Sequence, residues 1–168
     1  MRRRRQRETG DMRVLRLWNQ TDAGRAAPYL RSVLGSLREH WLEAQSKRRD
    51  RERLDRRPGR PDRRRMLTGE ALDTDRKAAE EHFNDAVEEL MRMDVYLVDP
   101  VQGVALIPFR KENDLAWYVF NAFDERGVSG WRYHSDPLEA CRPLPGVKDQ
   151  ESGVEDQGSG ARGQESAA

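Results

Sequence analysis

Apolar residues recur at Leu30, Leu34, Leu37, Trp41 and Ala44, in alternating steps of four and three. That spacing draws one narrow apolar seam along a helix. The predicted helix opens at Pro28, because a proline in the first turn gives up an N–H that has no partner there anyway. Beyond Ala44 the seam thins to Leu54 within a charged run, so the distal part is expected to project into solvent with little packed on it. A second seam, Ala79, Phe83, Ala86, Leu90 and Met93, repeats the rhythm after the break Pro58–Arg65, with Asp73 or Thr74 as candidate cap. Two matched seams joined by a Pro/Gly-containing break predict an antiparallel helical hairpin with coiled-coil character over residues 28–93.

Ahead of the hairpin, Val14–Trp18 reads as a short strand or an extended packing segment. Asn19–Ala27 reads as one or two helical turns capped by Asn19 or Thr21. Past Asp94 the period changes. Val95–Val98, Val104–Ile107, Leu115–Ala122 and Val128–His134 are strand-like, separated by turn-forming stretches, with Pro108 restricting the end of the second. They predict a three- or four-stranded antiparallel β-meander over 95–134, one face of which must be buried on the hairpin to be stable. A C-terminal strap over 135–146 completes a single α+β domain, residues 14–146. Trp18, Trp41, Trp117, Trp131, Tyr96, Tyr118, Phe120 and Phe123 are expected in the core, since aliphatic residues are few.

The ends lack any apolar periodicity. Residues 1–13 are expected to form a disordered basic arm and residues 147–168 a disordered acidic tail.

Composition sharpens this picture. Of 168 residues 36% are hydrophobic and 36% charged, so the core is small and the solvated surface large. The net charge of +1 hides a segregation: residues 47–65 hold eleven Lys/Arg against four acids, and residues 66–147 hold sixteen acids against eight bases. Such a dipole favours docking of unlike faces over uniform nucleic-acid binding. The one cysteine, Cys141, excludes an internal disulfide and a four-cysteine zinc site and suits a reducing, cytoplasmic compartment. No run of about 18 apolar residues is present, so a membrane span is not expected.

The order of parts carries a resemblance. Gly103-Val104-Ala105-Leu106-Ile107-Pro108 follows the hairpin, then a Trp-bearing strand, then Tyr133-His134 and Arg142-Pro143-Leu144. Over about residues 14–146 this resembles the bacterial family known as domain of unknown function 2203. Members tend to open with a Phe-Thr-x-x-x-Ala-x-x-x-x-Pro-like element, matched here by Trp18 through Pro28. Leu106-Ile107 stands where the family tends to have Asp-Phe, and Val119-Phe120 where it has Cys-Trp. The resemblance implies a fold and no activity.

Chemistry is sparse. His134 with Tyr133, Asp136 and Arg142 is the candidate polar site: a histidine at a strand end beside Asp136 could act as a base, or bind an anion with Arg142. The competing structural role for these residues is to fix the strap over the sheet. His40 and His82 lie beside the two seams and could face each other, but no His-Glu-x-x-His box or Glu-x-x-His pair surrounds them. No catalytic residue, cofactor or metal is therefore assigned. Arg48, Arg49, Arg60, Arg63, Arg64 and Arg65 are candidate contacts to nucleic acid or to an acidic partner. The expected function is a non-enzymatic protein-interaction or scaffold module, with self-association through residual helix seam or sheet edge as one route. The alternatives are a nucleic-acid-associated protein and a small-molecule or enzymatic site around His134 and Arg142.

Overall fold

A computed structural model describes residues 14–137 and 139–144. The basic arm expected over 1–13 and the acidic tail expected over 147–168 lie outside the described residues. Two helices, α1 (Gln20–Asp55) and α2 (Arg63–Arg92), pair as an antiparallel hairpin. Four strands follow: β1 (Tyr96–Asp99), β2 (Val104–Lys111), β3 (Asp114–Asn121) and β4 (Val128–Tyr133). They form one antiparallel sheet in the order β1-β2-β3-β4, so the architecture is α+β.

The helix boundaries depart from the sequence reading at two points. The first helix does not open at Pro28. It starts eight residues earlier, with Asn19 as N-cap, its side chain accepting from the Asp22 N–H at 2.8 Å, and it runs through Pro28 without interruption. Both Pro28 and Gly24, whose carbonyl loses its partner, lie at the surface, so water can replace the missing bond. The second helix starts not at Asp73 or Thr74 but at Arg63, where the Asp62 carboxylate accepts from the Arg65 N–H at 2.7 Å. The distal part of α1 is therefore paired along its length instead of standing alone.

Leu30, Leu34 and Leu37 of α1 and Leu90 of α2 are almost wholly buried, together with Ala105, Ile107, Ala116 and Phe120 of the sheet. Register explains which sheet face meets the helices: Ala105↔Phe120, Ile107↔Tyr118 and Phe109↔Ala116 pair side by side on one face. Phe109 and Tyr118 stack there with centroids 3.9 Å apart, and burial pushes the Tyr118 phenol above its usual pKa. Phe123, expected in the core, is instead exposed on the β3–β4 turn beneath the Arg38 guanidinium.

Pro108 sits inside β2, not at its end. A residue's N and O point to the same side of a strand, and the Pro108 carbonyl faces outward past the end of β1, where it accepts from the Trp18 N–H at 2.8 Å. The missing donor thus costs the sheet nothing. Val14–Trp18 is extended and not a strand. Trp18 is buried, its indole donating to the Met93 carbonyl at 3.1 Å, while the Arg16 N–H donates to Asp94 at 2.8 Å. Asp94 ends α2 in the left-handed region at φ 57°.

The sheet reaches only part of the way along the hairpin. Arg31 donates to the carbonyls of Asp124 and Glu125, and Arg38 to the Val101 carbonyl at 2.9 Å. Past Arg38, α1 runs on for 17 residues, an arm of roughly 25 Å at the helical rise of ~1.5 Å per residue.

Candidate functional site

The arm is held together by contacts between its two helices. Moving outward, His40 meets His82 with ring centroids 5.1 Å apart, and Trp41 meets Phe83 at 5.3 Å. Lys47 pairs with Asp75 at 2.7 Å, and Arg51 pairs with Asp73 at 3.2 Å and also with Asp55. Arg51 can lie across α2 because position 69 is glycine: a Cβ there would stand 3.2 Å from the guanidinium carbon. Hydrogen bonds that Lys47 donates to Asp75, and that Arg51 donates to Asp73 and Asp55, hold both cations above their usual pKa values.

These contacts sort the arginines of the tip. Arg48 pairs with Glu52 along its own helix, Arg53 with Asp50 and Arg56 with Glu52. Arg65 turns inward and donates to the Asp55 carbonyl at 2.8 Å and the Gly59 carbonyl at 3.3 Å, satisfying the open end of α1. Of the candidates read from sequence, Arg49, Arg60, Arg63 and Arg64 remain exposed with no ion pair among the described residues. Arg57, not singled out by the sequence, shares that state.

Sequence reasoning also missed Met66 and Leu67, which are 52% and 54% exposed. They sit three and four residues after Arg63, on the same side of the first turns of α2. The signal was available: a helix starting at Asp62 leaves them with no seam to join.

The candidate polar site divides in two. Asp136 and Arg142 form an ion pair, Asp136 also accepts from the Tyr133 N–H at 2.8 Å, and Arg132 donates to the Asp136 carbonyl. The Arg142 guanidinium lies over Trp131 and Tyr133 at 5.2 and 5.1 Å, and its backbone pairs with Trp131 beside β4. The hydrogen bond from Arg142, with that from the Tyr133 N–H, holds the Asp136 carboxyl below the usual aspartate range. This is the strap-fixing arrangement.

His134 does not join it. Its Nδ1 accepts from the Trp117 indole N–H at 3.0 Å. A neutral imidazole that accepts at Nδ1 carries its proton on Nε2, which leaves the other nitrogen a donor and not a base. The Asp136 carboxylate is taken up by Arg142 and the Tyr133 N–H, and no hydrogen bond joins it to His134 among the described residues. His134 is exposed and borders an open hollow of about 430 Å³ with Asp114, Leu115, Tyr133 and Ser135. That hollow can offer hydrogen bonds, but no nucleophile with its base is assembled there.

Among the described residues no helix is long and apolar enough to cross a membrane. Compared with protein-family models, with curated proteins and with solved structures, the chain matches none.

Proposed function

We propose that the protein is a non-enzymatic interaction module that docks the tip of its helical arm onto an acidic protein surface. The observation that carries this reading is the composition of the tip: Arg57, Arg60, Arg63 and Arg64, exposed and without ion pairs among the described residues, share the turn and the start of α2 with the half-exposed Met66 and Leu67. Arginine and methionine are enriched in protein interfaces and lysine is depleted, and residues 47–65 hold ten arginines to one lysine. Guanidinium groups pair with carboxylates through two parallel hydrogen bonds, while the apolar pair supplies buried area. Self-association through the helix seams is disfavoured, because Leu30, Leu34, Leu37 and Leu90 are used up inside the fold.

Phosphate backbones would use the same arginines, and this is the second reading. The two readings part at Met66 and Leu67, which have no role in a phosphate contact. Nuclease-treated affinity purification at low and moderate salt is the test, comparing the wild type with a quadruple Arg→Glu variant at 57, 60, 63 and 64 and with a Met66→Ser/Leu67→Ser variant. The proposal expects one stoichiometric protein partner, lost in both variants. Nucleic acid that falls away steeply with salt, and that the Ser variant still binds, would replace it with the second reading. A protein partner retained by both variants would place docking elsewhere.

A further inference from the structure

The base of the arm carries a repeat. Glu39-His40-Trp41-Leu42-Glu43-Ala44 on α1 matches Glu81-His82-Phe83-Asn84-Asp85-Ala86 on α2 in the order acid, His, aromatic, any residue, acid, Ala. Antiparallel pairing brings the two copies to the same level: His40 against His82 at 5.1 Å with ring planes 35° apart, and Trp41 against Phe83 at 5.3 Å. The alanines, Ala44 and Ala86, are buried and let the helices approach closely on either side. Both imidazoles reach the surface, and neither makes a hydrogen bond to another described residue.

We infer that His40 and His82 form a two-histidine site for a divalent transition-metal ion, zinc above all, clamped between the helices of the arm. The spacing fits. Two imidazoles sharing one tetrahedral zinc, with Zn–N about 2.0–2.1 Å, hold their ring centroids roughly 5.2 Å apart. The ring separation found here is 5.1 Å. No set of three or more His, Cys, Asp or Glu side chains is placed to hold a metal among the described residues. The remaining positions therefore go to water, or to a carboxylate brought round by a rotamer change. Glu43 and Asp85 are the candidates, each three residues after its histidine and so on the same side of its helix. The Glu-x-x-His order used in helical-bundle metal sites is reversed here, while the i, i+3 geometry is kept. An open site of this kind binds more weakly than a closed four-ligand site, and the ion would tie α1 to α2 at the base of the arm.

The test is zinc alone, titrated calorimetrically into the full-length protein, with thermal melts at matched concentrations. The expected result is one site per chain with micromolar affinity and a rise in melting temperature. Both effects should vanish in His40→Gln and in His82→Gln, and the affinity should fall by less than tenfold in Glu43→Gln/Asp85→Asn. Unliganded melts of each variant, close to wild type because both histidines are at the surface, separate loss of the ligand from loss of the fold. Absence of a one-site isotherm in the wild type, or an isotherm that survives in the double histidine variant, would overturn the inference.

Discussion

At Gly130 the C-terminal strap passes so close to the sheet that an added Cβ would stand 2.4 Å from the Cys141 sulfur and 2.5 Å from the Arg142 carbonyl oxygen. The second contact is to backbone and cannot be relieved by a rotamer. Gly130→Ala should cost roughly 1–3 kcal/mol in denaturant melts and speed the reaction of Cys141 with a thiol reagent, as the strap lifts from β4. Asp136 holds the same strap by charge. Its folded pKa lies below the unfolded one, so its contribution is present above the ordinary aspartate value of ~3.9 and is lost as pH falls through the lower folded value. Asp136→Asn should therefore melt at a lower temperature than wild type at neutral pH, with the difference closing in acid. A difference that persists below both values would show that the carboxylate charge is not what matters. The sequence placed Asp136, Tyr133 and Arg142 together but could not say which partner each would take. Asp136 is held by Arg142, and His134, which the sequence sets beside Asp136, is held by the buried indole of Trp117.

The helices show what periodicity can and cannot reveal. Two seams in matched register fix which neighbours meet, so the facing of His40 and His82 was legible from spacing alone. The start of α2 was not. Arg63–Leu72 has no continuing seam, and what keeps it helical is the Asp62 cap together with the Arg51–Asp73 and Lys47–Asp75 pairs, which exist only once α1 lies alongside. Pro28 reads as a start signal because local rules disfavour it further in. The structure accommodates it at a surface position where the Gly24 carbonyl can be hydrated. That accommodation has a measurable cost. Pro28→Ala restores one helical hydrogen bond, and should raise stability by about 1 kcal/mol in chemical denaturation after the lost restriction of the unfolded chain is subtracted. An unchanged or lowered midpoint would mean that the proline shapes α1 in a way its partners require.

On the scale of the whole molecule, apolar burial is concentrated at one end. The core cluster gathers around the sheet and the halves of α1 and α2 nearest to it, whereas Ala44, Leu54 and Ala79 are the buried apolar side chains of the arm. Exposed ion pairs carry much of the remaining helix-to-helix contact, and such pairs are worth little singly and weaken with salt. Hydrogen exchange should accordingly be faster past Trp41 than in Leu30–Leu37, with the gap widening as salt is added. Uniform protection along α1 would refute this division. The connectivity has a further consequence, for the order of folding. Each helix pairs with the next helix, and each strand with the next strand, so nearly all neighbours are also neighbours in the chain. Contacts of such short sequence separation assemble quickly. The long-range links are those of α1 to the sheet, such as Arg31 to Asp124 and Glu125, and those of the Trp18 segment, whose partners at Met93, Asp94 and Pro108 lie more than 70 residues away. The stretch met first in the described chain is therefore the one whose seating completes the fold, after β2 has formed and offered it an edge.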